Sequence, residues 1–520
     1  MTLVVTGRSG SPGIPGRPGK SGGIALAALG PARLLAGVQG GARLDRVGHL
    51  TVHGSPPRMR LEEVIALAEN IDLRGRGGAG FPFARKLRAV ADAAARRKAP
   101  TAVVVNGTEG EPTCLKDKAL LNHTPHLVID GAVLAAEALG ARQVVFGVTR
   151  PDAEESLRKA VAERPPDGVP VRVRRLPERF VTGEGSALTQ GLDDGPALPS
   201  GRRIRTSEAG LGGLPTLLSN TETFAQLSVA ARIGALGYRE LGLPSEPGTV
   251  LLSLSGRLVA EVPAGAPLAE VLRLCGTDAG QGVLVGGYHG GWLSPQAAAV
   301  ATVSRGSLSA LGAALGAGAV VPLPRDTCPV GETTRVARWM AEESAGQCGP
   351  CFLGLPAIAD TLEWVQQAGG RPALDTLQQR MASVKRRGAC SHPDGTARFV
   401  ASALEAFPEE FLNHSVGHGC GRPVTGVLPL VPGAGRGSGG PGGGGRSSAV
   451  ALSGDTGRKL TVDWTLCRGH GLCADIAPDL VRLDSDGHPA QAAMPVPRAA
   501  RAQAARAVRR CPALALRVTG

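Results

Sequence analysis

The run from Gly421 to Gly457 constrains this chain most, because a stretch of Gly, Ser and Pro that includes Gly439–Gly445 has too few apolar side chains to enter a packed core. It cuts the 520 residues into a long body and a tail, with a linker placed at 416–457 and a separate small domain at 458–520. At 5–6 Å × √n, ~35 flexible residues span roughly 30 Å, enough for the tail to reach more than one surface. Residues 1–30 have a similar composition and read as a disordered tail.

From Arg60 onward the body is regular. Leu61–Asn70 reads as helix, Thr101–Val105 as a buried β-branched strand, Leu127–Leu139 as helix, Gln143–Val148 as strand and Asp152–Glu163 as helix. This alternation predicts an α/β domain over 31–245. Over 246–325 the strands Val250–Ser255, Arg257–Val262 and Gly282–Val285 with the helix Leu268–Leu274 make a small β-rich module. Residues 326–415 are helical, with segments at Thr333–Glu343, Leu355–Ala368, Ala373–Val384 and Thr396–Phe407.

The net charge of +13 comes from Arg spread along the chain, without the aromatic-plus-basic pattern of a nucleic-acid surface, so no nucleic-acid partner is expected. Met1–Gly23 is too polar for a signal peptide, and the best apolar stretch, Leu308–Pro322, is short and broken by glycines. A soluble, cytoplasmic protein without a transmembrane segment is expected. In such a chain, ten unevenly placed cysteines favour metal or redox chemistry over a disulfide framework.

The tail reads Cys467-Arg-Gly-His470-Gly-Leu-Cys473, with Cys511-Pro512 near the end. A tight loop of thiolates closed by a distant Cys-Pro is how bacterial ferredoxins wrap an iron–sulfur cluster. His470 occupies the middle position, so the three thiolates Cys467, Cys473 and Cys511 suit a 3Fe-4S cluster, or a 4Fe-4S cluster with a further ligand; a zinc knuckle is the competing reading. The segment from Val462 to Cys473 resembles the single-cluster ferredoxins that serve actinobacterial cytochromes P450.

In the helical region Cys348-Gly-Pro-Cys351 is followed by Cys390, and Ala345 stands three residues before Cys348. A bare C-x-x-C is compatible with a zinc half-site or a dithiol. Further upstream, Leu73-Arg-Gly-Arg-Gly-Gly-Ala-Gly-Phe-Pro82 places Gly75, Gly77 and Gly80 in a G-x-G-x-x-G pattern. A helix rather than a strand precedes it and no Gly-Lys-Ser/Thr follows, so it is neither a Rossmann fingerprint nor a Walker loop. A backbone cradle for phosphate, with charge from Arg76 and Lys86, and a tight structural turn are both compatible with it.

Taken in order, five segments resemble the NADH-binding flavoprotein subunit of respiratory complex I and its relatives in hydrogenases and formate dehydrogenases. They are Arg74-Gly-Arg-Gly-Gly-Ala-Gly-Phe-Pro82, Asn106-Gly-Thr-Glu-Gly-Glu-Pro112 with Lys116-Asp117, Gly183-Glu184-Gly-Ser-Ala-Leu188, Gly213-Leu-Pro-Thr-Leu-Leu-Ser-Asn220-Thr-Glu-Thr223 and Glu343-Ser-Ala-Gly-Gln-Cys-Gly-Pro-Cys351. The resemblance covers roughly residues 60–410. It implies an α/β fold: a Rossmann-like FMN domain, a small β-grasp (SLBB-like) module and a C-terminal helical bundle iron–sulfur domain, followed here by the α+β ferredoxin domain.

The resemblance also implies FMN held by Gly75, Gly77, Gly78, Gly80 and Lys86 around its phosphate, with Arg76 and Phe81 of the same loop. Asn106, Glu109, Glu111 and Asn220 would line the flavin pocket, and Gly183 and Glu184 the nicotinamide entrance. Cys348, Cys351 and Cys390 would be three of four ligands to a 4Fe-4S cluster, an incomplete set because Ala345 replaces the fourth. The family aspartate is Thr108 here, its second glutamate is Gly185, and its aromatic platform aligns with Arg202–Arg205. With NAD(H) as substrate, a hydride from NADH or NADPH would reduce FMN, and single electrons would leave through both clusters. No side chain need act as acid or base, because the cofactor carries the chemistry. A cytochrome P450 or another oxidoreductase subunit would serve as acceptor. The alternative is a non-enzymatic electron-transfer adaptor that does not oxidise NADH.

Overall fold

The computed structural model describes residues 3–6, 24–38, 41–166, 168–201, 204–430, 458–467, 469, 471–484, 487–511 and 515–519. The body is built on two sheets and a helical bundle, giving a mixed α/β architecture with parallel strands. The first sheet has the order Val171–Arg175, Ala141–Val148, Thr101–Gly107, Thr216–Asn220, all parallel. Strand alternation sends Val103, Val105, Val144 and Phe146 to one face, and Ala102, Val104 and Val145 to the other. The first face is covered by the helices Leu61–Asn70, Phe83–Arg97, Pro125–Ala138 and Thr221–Arg239. The second is covered by the Gly185–Leu192 helix through Leu188 and Leu192. Burial on both faces explains why Ala102–Val105 is continuously apolar.

The second sheet is mixed and seven-stranded: Leu3–Thr6, Ala25–Leu29, Leu258–Pro263, Thr249–Leu254, Ala319–Pro322, Val283–Val285, Gly291–Leu293. It corrects the reading of residues 1–30 as a disordered tail. Leu3–Thr6 pairs antiparallel with Ala25–Leu29, which runs parallel to Leu258–Pro263 with Ala27 opposite Ala260. The Ala-Leu-Ala-Ala-Leu segment is apolar enough to fill both sides, with Leu26 entering one core and Ala27 and Leu29 another. The buried Glu261 carboxylate then accepts the backbone N–H groups of Arg33, Leu34 and Leu35 at 2.9–3.0 Å, fixing the chain that follows. Residues 7–23 lie outside the described residues.

The helices Pro329–Glu342, Leu355–Gln366, Gly370–Val384, His392–Ala406 and Pro408–Ser415 form the bundle. The described part of the expected linker, 416–430, is instead a strap packed on that bundle. Leu428 is buried in its core, and the Glu332 carboxylate accepts Gly426 N at 2.6 Å. Residues 431–457, the rest of that linker, lie outside the described residues.

The tail has an antiparallel sheet ordered Ala493–Pro495, Lys459–Val462, Leu516–Thr519, with the helices Leu472–Ile476 and Arg501–Arg510. Among the described residues no helix is long and apolar enough to cross a membrane.

Candidate functional site

The glycine loop leaves the Leu61–Asn70 helix and closes on itself through Gly75 N to Phe81 O at 2.9 Å and a bridge between Arg74 and Pro82. Gly78 and Gly80, at φ +118° and +60°, occupy backbone space that a side chain would strain. The 15-residue helix Phe83–Arg97 starts directly after it, so its positive end faces the loop. Gly77 packs on Asn220, where a Cβ would lie 3.3 Å from Asn220 Cβ. Lys86, in the helix's first turn, is half-buried and donates to Leu218 O at 3.0 Å; desolvation lowers its ammonium below the ordinary value. The Arg76 side chain is buried, and its Nε has no hydrogen-bond partner among the described residues. A closed glycine loop, a helix N-terminus and an orphaned guanidinium nitrogen fit a phosphate-bearing group such as FMN. Phe81 stands exposed beside them.

Beneath the loop lies an ionic network. Lys116 Nζ reaches Asp117 Oδ1 at 2.7 Å, Asn220 Oδ1 at 2.9 Å and Glu222 Oε2 at 3.3 Å, and Arg76 Nε lies 3.9 Å from Glu222 Oε1. Burial alone would lower the Lys116 ammonium; the Asp117 and Glu222 carboxylates outweigh it and hold it above its ordinary value. Asn220 caps the Thr221–Arg239 helix and donates to Asp117 Oδ2 at 2.6 Å. Asn106 donates to Gly183 O at 2.9 Å, while Thr108, where the family has aspartate, donates its hydroxyl to Asn106 Oδ1 at 2.6 Å.

The structure thus brings together Gly77, Asn106, Gly183 and Asn220. Other expected residues have defined partners of their own. Glu109 accepts Asp117 N and Lys118 N at 2.9 and 3.0 Å, capping the Lys116–His123 helix, and is pushed up to about 7 by burial and then by the Asp117 carboxylate. Glu111 accepts Tyr288 N at 2.8 Å, tying the loop to the second sheet, and burial raises it. Glu184 caps the Gly185–Leu192 helix. The network residues Lys116, Asp117 and Glu222 escape selection as site residues, although all three lie inside the motifs quoted above; their charge in apolar surroundings was the available signal. In the segment expected to replace the aromatic platform, Arg202 and Arg203 lie outside the described residues.

The cysteine loop abuts this pocket. Phe180 N donates to Glu343 Oε2 at 3.0 Å and Arg179 donates to Ser344 O at 3.1 Å, so the segment before Gly183 grips the segment before Cys348. Cys348 and Cys351 are both 3% exposed and Cys390 is half-buried. A hydrogen bond from Cys351 holds the Cys348 thiol down at about 6 against burial, and the same bond pushes Cys351 up. Cys390 is near enough to act electrostatically on Cys351, and Glu184 on Cys390. Two buried thiols, Cys348 just before and Cys351 within a π-helical turn at Pro350–Gly354, with Cys390 near enough to act on Cys351, fit an iron–sulfur cluster with one corner lacking a cysteine at Ala345.

In the tail, Cys467, Cys473 and Cys511 pack against one small core, and burial first raises the Cys473 thiol. His470 and Pro512 lie outside the described residues. Sequence reasoning missed where this domain sits. Asp463, whose carbonyl accepts Cys467 N at 3.0 Å, lies against the Cys348 loop. A Cβ on Gly349 would be 3.1 Å from Asp463 Oδ2, Arg387 is 3.8 Å from the same oxygen, and Trp464 packs over Gly201.

Comparison with known proteins matches three stretches of the chain. Residues 68–229 match the Nuo51 FMN-binding domain, 332–414 the NADH-ubiquinone oxidoreductase-F iron-sulfur binding region, and 460–518 a 4Fe-4S single cluster domain. The tail match is to a four-iron family, which favours that choice over 3Fe-4S. The F 2 subunit of the NADH-quinone oxidoreductase of Rhizobium meliloti (strain 1021) is 29% identical, over 68% of this chain and 89% of the relative. The NAD+-reducing [NiFe]-hydrogenase in its H2-reduced state superposes with a TM-score of 0.62 at 26% identity, over 69% of this chain and 63% of the hydrogenase chain. The NADH-quinone oxidoreductase F subunit of Mycobacterium bovis (strain ATCC BAA-935 / AF2122/97) is 32% identical over 69% of this chain and 86% of its own length, and the chain accordingly belongs to the family of NADH-quinone oxidoreductase F subunits, oxidoreductases that couple FMN to iron–sulfur centres.

Proposed function

We propose that this protein is an NADH dehydrogenase with a built-in exit: it takes electron pairs from NADH and delivers single electrons through the Cys348/Cys351/Cys390 site to its own ferredoxin domain. One observation carries the reading. The Cys348 loop is gripped by Arg179 and Phe180 of the flavin body and touched at Gly349 by Asp463 of the tail, which supports a series running from flavin to helical cluster to tail cluster.

Bound FMN supplies the exchange between a hydride and single electrons. The glycine loop Gly75–Gly80, Arg76 and Lys86 hold its phosphate, and Phe81 stands beside the loop. Asn106 and Asn220, with Glu109 and Glu111 behind them, fix the walls of the pocket, and Gly183 and Glu184 guide the nicotinamide. Thr108 and Gly185 leave the entrance without two family carboxylates, so NADPH is the donor to test against NADH. We read the domains as 31–245, 246–325, 326–415 with the 416–430 strap packed on it, and 458–520, with the second sheet as a β-grasp module that recruits the N-terminal strands. A cytoplasmic location agrees with this donor. The relatives are subunits of respiratory and hydrogenase complexes, which favours a subunit of such an assembly over a cytochrome P450 as acceptor.

Anaerobic titration of the holoprotein with NADH and NADPH, followed by optical and EPR spectra, tests the proposal. Flavin bleaching followed by reduction of two clusters is the expected result. Clusters present without flavin, or flavin inert to both nucleotides, would leave only the adaptor.

A further inference from the structure

The strap that replaces the expected linker brings Cys420 to Cys328 and His414 of the bundle, a cluster of metal-ligating groups remote from the redox series. Cys328 Sγ, His414 and Cys420 Sγ each offer one donor atom, and all three donors lie within 4.8 Å of one another, with Cys328 Sγ 3.4 Å from His414 Nε2. We propose that Cys328, His414 and Cys420 form a mononuclear zinc site that fastens the 416–430 strap to the head of the helical bundle.

Three observations support a built site. First, the donors are of the right kind and spacing. Two thiolates and one imidazole are the N/S set that zinc prefers, and Zn–S and Zn–N bonds of about 2.3 and 2.0–2.1 Å place tetrahedral ligand atoms about 3.5–3.8 Å apart. The observed spacing needs only small side-chain rotations to reach this, and the three protein ligands leave a fourth position for water.

Second, the ligands are positioned from both sides by the backbone. Cys328 caps the Pro329–Glu342 helix, its sulfur accepting Gly331 N at 3.3 Å. Its own N–H donates to Pro423 O of the strap at 2.8 Å, and Thr425 Oγ1 meets Thr327 Oγ1 at 2.9 Å.

Third, Glu410, one turn before His414 on the same helix face, is ion-paired with Arg422, two residues beyond Cys420. Its other oxygen, Oε2, is buried without a hydrogen-bond partner among the described residues.

The site is distinct from the cluster loop. The 14-residue Pro329–Glu342 helix, roughly 20 Å long at 1.5 Å per residue, runs from Cys328 at one end to Glu343 and the cluster loop at the other. Binding would displace the protons of the two thiols and engage neutral His414.

Elemental analysis of the anaerobically purified holoprotein tests this, with zinc counted separately from iron. One zinc per chain is expected in the native protein. Cys328→Ser, Cys420→Ser and His414→Ala are each expected to lose it while retaining iron, flavin and bleaching by NADH. Should the variants fold poorly, zinc-edge X-ray absorption of the native holoprotein decides alone: two sulfur neighbours at about 2.3 Å and two lighter ones are expected. Substoichiometric zinc in the native protein, zinc retained in all three variants, a shell lacking two sulfurs, or a Cys328–Cys420 disulfide found by mass spectrometry would each overturn the proposal.

Discussion

The flavin body and the ferredoxin tail carry the same kind of chemistry in opposite surroundings. In the body, Lys116, Asp117, Glu222 and two of the three cluster thiols are buried, and each charge is held by at least one opposite charge or hydrogen bond. In the tail the three cysteines are only half-buried, and contact with the body runs through Asp463 and Trp464. A buried site excludes water, which suits receiving a hydride. A half-exposed one can be reached by another protein, which suits handing single electrons on. The two halves should therefore fail differently when altered.

The largest effect should come from removing a cluster ligand. Cys351→Ser is expected to abolish the EPR signal of the helical site and, with it, NADH-driven reduction of the tail, while the flavin still bleaches. Cys473→Ser should abolish the tail signal and leave the helical one unchanged. If the tail were still reduced at the native rate in Cys351→Ser, the serial arrangement would be wrong.

Next in size is the buried network. Lys116→Met takes away the cation that pairs with Asp117 and leaves Glu222 with Arg76 alone, at 3.9 Å, and breaking one partner of a buried ion pair costs ~3–5 kcal/mol. The comparison is with Arg509→Ala on the tail's Arg501–Arg510 helix, expected within ~0.5 kcal/mol of native. Denaturant midpoints followed by flavin release for the body and by cluster bleaching for the tail measure both.

Glu109 gives the body a pH signature. Its carboxyl moves from 4.5 to about 7 on folding, so the folded state binds the proton more tightly than the unfolded one. Stability attributable to this group is therefore full below pH 4.5, falls as pH rises toward 7 and is level above, a loss of at most about 3 kcal/mol. Glu109→Gln should flatten the body's stability between those limits while keeping an acceptor for Asp117 N.

These contrasts were partly legible in the sequence. The Leu61–Asn70 helix spans the residues expected of it, because its apolar positions recur at helical spacing and Arg60 N is capped by Glu63. The glycine loop and both cysteine sets were legible because chemistry dictates their spacing. Ala25–Leu29 was not, since its Ala and Leu carry no β-branched signal and become a strand by pairing with Leu3–Thr6 and Leu258–Pro263. Nor was the strap, whose Gly and Pro read as linker although Leu428 fills a core position. The Thr221–Arg239 helix is interrupted at Gly234 by a φ of +72°, which blurs its periodicity. Cys328 and His414 are 86 residues apart, so only the bundle brings them together.

The smallest expected effect bears on the contact between the halves. Asp463 Oδ1 accepts Thr465 N at 3.0 Å and so shapes the turn leading to Cys467, while Oδ2 faces Arg387 at 3.8 Å. Arg387→Ala removes the ion pair and leaves that turn intact, which makes it the cleaner variant. A partly exposed pair is worth ~0.2–1 kcal/mol, so reduction of the tail cluster by NADH should slow by no more than about fivefold. Raised salt should slow the native protein toward the variant and barely affect the variant, since screening removes what the substitution has already removed. Stopped-flow traces of cluster reduction at low and high ionic strength supply the comparison. A rate that falls a hundredfold would mean that the tail is fixed as firmly as the body's own core; no change at either salt would mean that electrons cross at a surface other than the Asp463–Arg387 contact.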